Sequence, residues 1–211
     1  MTDDDSMPVG QDLLERIRRT PRPAAPIPWF MDLDGVLNII GRLPTVDWQW
    51  YERVAVMTDE DIAVPVVYAP MLMGCLNEMA SCELIEVHWL TTWEWRAPRQ
   101  FAPSVGLQVG QRVIEDPTGI SAFWWKLAAV LKRQVLPSDP GWSPFVWTDD
   151  QIGADDEAQE LMRLAREQAV VISPDEEHGL TPDHVGEILD AIDYWAAHES
   201  LPPAINRATE S

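Results

Sequence analysis

Asp32 and Asp34 stand one residue apart in "WFMDLDGVLNII" (29–40), directly after an apolar run and just before a glycine. In an extended chain alternate side chains point the same way, so the two carboxylates converge, and Gly35 lets the backbone turn sharply away. Carboxylates held this close repel each other, and a cation or a shared proton relieves them. A hard divalent ion with oxygen ligands, such as Mg2+, suits the pair. Alone the pattern is weak, because D-x-D-G also occurs in calcium loops and turns. A second acidic pair, Asp149 and Asp150, follows another apolar run in "FVWTDDQI". Two such pairs at separate strand ends suggest a metal site. Between them, "HWLTTWE" places Thr91 and Thr92 after a third apolar run, with hydroxyls suited to a phosphoryl oxygen. Lys126 lies on the helix that leads into the "DD" strand, where its charge could balance a phosphoryl group; a lone helical lysine is more often solvated.

The elements that must position these residues alternate between strand and helix. "WFMDL" reads as a buried strand, "LIEVHWL" as a second, "FVW" as a third and "VVIS" as a fourth, with a short one in "QRVIED". "VDWQWYERVAVM" and "DIAVPVVYAP", separated by "TDED", predict a hairpin. Helices are expected in "MLMGCLNEMAS", in "SAFWWKLAAVLKRQV" with Phe123, Leu127, Val130 and Leu131 on one face, and in "DDEAQELMRLAREQA". The last helix, in "GLTPDHVGEILDAIDYWAAH", has Thr181 as N-cap, Pro182 at its first position and an apolar stripe of Val185, Ile188, Leu189, Ile192 and Trp195. Such alternation predicts an α/β fold with a mostly parallel sheet and helices on both faces. Ligands then bind beyond the carboxyl ends of the strands, where the acidic pairs fall. Residues 1–28 read as an appendage with a proline-rich linker, 29–198 as one domain and 199–211 as a disordered tail.

In that order, "FMDLDGVLN", "HWLTTWE", Lys126 and "FVWTDDQ" resemble the haloacid dehalogenase (HAD) superfamily of phosphotransferases. The closing "GLTPDHVGEILDAI" resembles one small subgroup, which includes the HAD domains of RNA-repair proteins. The resemblance implies a Rossmann-like HAD fold and a Mg2+-dependent phosphatase or phosphotransferase. Asp32 would be the nucleophile that forms an aspartyl-phosphate, and Asp34 the acid and base. Asp34 favours phosphatase chemistry, since family dehalogenases lack it. Mg2+ would sit among Asp32, the backbone carbonyl of Asp34 and Asp149, with Asp150 orienting its water shell. Thr91 and Lys126 would hold the phosphoryl oxygens, with Thr92 in place of Thr91 if the strand register slips by one. The spacing between motifs leaves room only for a β-hairpin flap at about 47–68, not a folded cap. An open site suits bulky phosphorylated substrates, with a polynucleotide or nucleotide end among the candidates. The competing class is a catalytically weak binding or regulatory protein on the same scaffold.

Composition sets limits on partners. Thirty-five acidic against fifteen basic residues give a formal net charge of −20, which repels phosphate backbones and argues against an extended nucleic-acid footprint. No apolar stretch approaches the ~20 residues that span a bilayer, and the N-terminus is acidic rather than signal-like. With only Cys75 and Cys82, a disulfide framework is not expected, and a cytoplasmic setting fits. Eleven tryptophans are unusual; core packing is favoured over base stacking for those near the motifs. His88 is expected in the core, and no Cys/His spacing suggests zinc.

Overall fold

The apolar run ahead of Asp32 forms a strand, β1 (Ile27–Met31), whose Trp29, Phe30 and Met31 are completely buried. A strand hidden on both faces needs continuous apolar sequence rather than alternation. The structure, a computed structural model, describes residues 9–41, 47, 48, 50–110, 112–116, 123–134, 143–154, 156, 158, 159 and 168–198. Its other strands are β2 (Glu52–Met57), β3 (Ala63–Tyr68), β4 (Ile85–Trp89), β5 (Arg112–Val113), β6 (Phe145–Thr148) and β7 (Ala169–Ile172).

Among the described residues, five strands form one sheet in the order β5-β4-β1-β6-β7, and every neighbouring pair is parallel. The chain steps outward from β1 through β4 to β5, then returns to lay β6 and β7 on the other side of β1. Strand order therefore reverses beside β1, and a crevice opens there at the carboxyl ends.

Alternation along β1 feeds two cores. Trp29 and Met31 pack with α1 (Val9–Arg19), α2 (Pro70–Ser81) and α4 (Pro182–His198), through residues such as Ile17, Leu76 and Ile188. Phe30 faces the opposite way, into a second cluster with Trp125, Leu127 and Val130 of α3 (Phe123–Gln134). Each large side chain so buried stabilises the fold by about 1.5–3 kcal/mol. The result is a Rossmann-like α/β architecture, with the expected parallel sheet and helices on both faces.

The hairpin is present as expected, β2 and β3 pairing antiparallel from Glu52↔Tyr68 to Met57↔Ala63. Its inner face, Val54, Val56, Val64, Val66 and Tyr68, belongs to the main core. The flap is thus fastened to the domain by apolar packing.

At the N-terminus, α1 packs against the domain. Residues 1–28 read as an appendage, yet α1 is part of the core: Leu13 and Ile17, one helical turn apart, are 8% and 0% exposed. Arg16 pairs with Asp190 of α4 and Arg18 with Glu78 of α2. The proline-rich segment after α1 suggested separation, but it only returns the chain to β1, which begins at Ile27 rather than Trp29. Residues 1–8, the tail at 199–211 and most of the helix expected in "DDEAQELMRLAREQA" lie outside the described residues.

At the start of α4, the Thr181 hydroxyl accepts the His184 backbone N–H, and His184 Nδ1 accepts the Thr181 N–H. This reciprocal cap satisfies two otherwise orphaned donors. Cys75 is buried and free, and burial pushes its thiol up to about 12. No described helix is long and apolar enough to cross a membrane.

Candidate functional site

β1 and β6 run side by side with Met31 opposite Thr148, so Asp32 and Asp149 leave adjacent strands at the same level. Asp32 extends the ladder, its N–H donating to the Thr148 carbonyl at 3.0 Å. Both side chains are buried, 5% and 0% exposed, and Asp150 is half-buried. One oxygen from each of Asp32, Asp149 and Asp150 lies within 4.8 Å of the others. Oxygens on opposite sides of a Mg2+ ion, each about 2.1 Å from it, are about 4.2 Å apart. The cluster can therefore hold one hard metal ion.

Lys126, on α3, projects into this cluster. Its Nζ donates to Asp32 Oδ2 at 2.6 Å and to Asp149 Oδ2 at 2.7 Å. A lysine between buried Trp125 and Leu127 is tolerable only when its ammonium is paired. Three carboxylates against one ammonium still leave two negative charges, the deficit that a divalent cation fills. The protonation equilibria reflect this. Burial pushes the Asp32 carboxyl up to about 6, against the pull of Lys126 and with a push from Asp149. Burial likewise raises Asp149, and burial with the Asp32 charge raises Asp150 to about 6. Burial depresses Lys126, but the two carboxylates more than offset it and hold the ammonium above its ordinary value.

Gly35 is required here twice over. Its φ of +71° lies in the left-handed region, and a Cβ would sit 2.6 Å from Asp150 Cγ. The turn after Asp34 thus lets Asp150 reach the cluster.

Asp34 is not in the carboxylate cluster. Its Oδ1 accepts from Asn38 Nδ2 at 2.7 Å and its Oδ2 from Trp93 Nε1 at 2.9 Å. Thr91 is buried and Thr92 exposed. The Thr91 Oγ1 accepts the Trp93 backbone N–H at 3.4 Å, so Trp93 links Thr91 to Asp34. Of the residues singled out from sequence, the structure brings together Asp32, Asp149, Asp150 and Lys126, and ties Asp34 and Thr91 to each other through Trp93, whose indole N–H bonds the first and whose backbone N–H bonds the second.

Two participants escaped the sequence reading, Trp93 and Asn38. From sequence Trp93 reads as a core residue, and its ring does pack against Phe101; its two-residue offset from Thr91 is the available signal. Asn38 stands four residues after Asp34, a spacing from which a short amide can reach back across a turn. It also accepts the Val67 N–H at 3.0 Å, while the Ile39 N–H donates to the Val67 carbonyl at 2.8 Å. The flap is thereby stitched to the loop that carries Asp34. Trp50 and Trp95 are exposed, 45% and 40%, rather than in the core.

Neither a family model nor a curated protein sequence matches this chain. What the fold and geometry define is a Rossmann-like α/β protein with a paired-lysine, three-carboxylate cluster at its topological switch point.

Proposed function

We propose that this chain is a Mg2+-dependent phosphomonoester hydrolase of the HAD type, working through an aspartyl-phosphate on Asp32. The observation that carries the reading is the convergence of Asp32, Asp149 and Asp150 within 4.8 Å, with Lys126 bonded to two of them. Asp32, Asp149 and Asp150 would hold Mg2+, whose charge lets an anionic nucleophile meet an anionic phosphoryl group. The donor set, all oxygen, fits that ion.

In the first step an Asp32 oxygen attacks phosphorus and the ester P–O bond breaks. The Leu33 N–H, 2.8 Å from Asp32 Oδ1, fixes the carboxylate plane and leaves Oδ2 beside Lys126. Protonated Asp34 gives its proton to the departing oxygen. In the second step Asp34 takes a proton from water, whose oxygen displaces Asp32 from phosphorus and releases phosphate. Asn38 and Trp93 hold Asp34 in one orientation, and Lys126 and Thr91 would stabilise the phosphoryl oxygens. With a chain charge of −20, the substrate is a phosphomonoester gripped locally rather than along a nucleic-acid backbone.

A second reading, a binding or regulatory protein on this scaffold, draws on the same lysine, which satisfies Asp32 and Asp149 without any metal. Hydrolysis of an aryl phosphate separates the two. Turnover should require Mg2+, cease in chelator and be lost in Asp32→Asn. Turnover that ignores the metal or survives the substitution eliminates the proposed mechanism.

A further inference from the structure

The surroundings of the carboxylate cluster are asymmetric. On the Asp150 side lies a cleft of about 360 Å³ lined by Pro174, Asp175, Glu176 and Glu177. On the Asp34 side lies another, about 440 Å³, walled by the Asn38–Gly41 turn and the outer face of the flap. Its apolar surface comes from Ile39, Ile40, Pro65 and Val67. Among the described residues, Arg53 and Asp34 are the charged side chains that line it.

Arg53 is placed by the hairpin register. It pairs with Val67 across β2 and β3, and Val67 is the residue bonded to Asn38 and Ile39. The guanidinium is therefore mounted on a strand fixed to the Asp34 loop, at a defined offset from Asp34. It is exposed and forms no ion pair among the described residues, in a chain where acidic residues outnumber basic ones more than two to one. A guanidinium with no ion-pair partner among the described residues, beside an apolar wall, presents a fork of donors matched to phosphate or carboxylate.

Resting on the hydrolase reading, we infer that this cleft receives the leaving group and that Arg53 selects substrates whose leaving group bears a second anionic group. The substrate class is a small phosphomonoester with an apolar body and a second phosphate or carboxylate. The departing oxygen must face Asp34, which protonates it, and Asp34 lines this cleft and not the acidic one. A second anion directed the other way would meet Asp175, Glu176 and Glu177 and be repelled. Volume agrees, since about 300–1,000 Å³ is usual for small-ligand pockets.

Binding of non-hydrolysable ligands tests this without turnover. Benzylphosphonate, its 4-carboxy derivative and its 4-phosphonomethyl derivative are titrated calorimetrically into the Mg2+-loaded protein. The two doubly anionic ligands should bind about tenfold more tightly, the scale of one charge-assisted hydrogen bond, and the preference should shrink as salt is raised. The pair also reports whether carboxylate or phosphonate is preferred. In Arg53→Ala the ratio should fall to about one, and Arg53→Lys should restore part of it; a purely structural arginine would give no such charge-specific rescue. Equal affinities in the wild type, or a preference that survives Arg53→Ala, overturns the inference. Aryl-phosphate hydrolysis without any anion preference removes this inference alone. Anion preference without hydrolysis removes the hydrolase reading and the leaving-group assignment with it, keeping only anion selection by Arg53, and failure of all three ligands to bind removes both.

Discussion

Replacing Lys126 by methionine changes one charge and little volume, so its effect isolates the electrostatics of the cluster. The substitution deletes bonds of 2.6 and 2.7 Å to Asp32 and Asp149 and leaves three carboxylates, two of them buried, without a countercharge. Removing one partner from a buried ion pair costs about 3–5 kcal/mol, and about 2–4 °C accompanies each kcal/mol in a domain of this size. In chelator at pH 7.5 the melting temperature should therefore fall by roughly 6–20 °C. Acidification shifts the balance in a definite direction. The Asp32 carboxyl stands at about 6 in the fold against 3.8 ordinarily, so the folded state binds a proton more tightly than the unfolded chain. Metal-free protein thus gains stability as pH falls through 6 towards 4, by about 3 kcal/mol for a two-unit rise. Lys126 lowers the Asp32 value, so without it that window opens at higher pH and the gain is larger. The deficit of the variant should therefore shrink at pH 5. It should also shrink in Mg2+, since carboxylates freed of Lys126 bind the cation more tightly than the lysine-paired ones and gain more stability from it at the same concentration. Thermal and urea unfolding of both proteins, with chelator and with Mg2+, at pH 7.5 and 5, measures all of this. Equal stability in chelator at pH 7.5, or a deficit that does not change with pH, would refute the charge reasoning.

Gly35→Ala places a methyl 2.6 Å from Asp150 Cγ at a φ of +71°, so metal-induced stabilisation should weaken at least about tenfold in apparent Mg2+ affinity, beyond a backbone cost of about 1–2 kcal/mol; wild-type affinity in a folded variant would sink it. Trp93→Phe keeps most of the ring but deletes the donor 2.9 Å from Asp34 Oδ2. Its kcat should fall more for alkyl than for aryl phosphates, because a poor leaving group depends on proton donation; equal losses on both would remove Asp34 orientation as the cause.

The sequence made the sheet legible because buried parallel strands declare themselves as short apolar runs, and "WFM", "IEVHW" and "FVW" each proved to be one. The register that sets Met31 opposite Thr148 was not legible, yet it is what brings Asp32 beside Asp149. Periodicity identified helix α4 and its Thr181 cap, since both signals are local. It undervalued α1, whose Leu13 and Ile17 make only a short apolar stripe and whose burial depends on surfaces offered by α2 and α4. Carboxylate motifs were readable for the same local reason. Trp93 and Asn38 were not, because their contribution is one hydrogen bond each to a residue whose position depends on the turn at Gly35. An aromatic residue that both fills a core and donates a single N–H looks, in sequence, like one that only fills a core.

The strongly acidic composition is at odds with a phosphate ester as substrate only if charge is averaged over the surface. Screening limits exposed charges to about 10 Å at moderate ionic strength, so the groups within one cleft govern what enters it. On the proposed reading, the metal cancels the charge that would repel an incoming phosphoryl group, since Lys126 alone leaves the cluster two charges negative. The acidic wall at Asp175, Glu176 and Glu177 then closes one approach, and Arg53 on the flap marks the other. Because that flap is held to the Asp34 loop through Asn38 and Val67, the cation that would recognise the leaving group and the acid that would protonate it share one rigid support. Specificity and proton transfer would then depend on the same three backbone and side-chain bonds, and Asn38 would be the residue that joins recognition to chemistry in this fold.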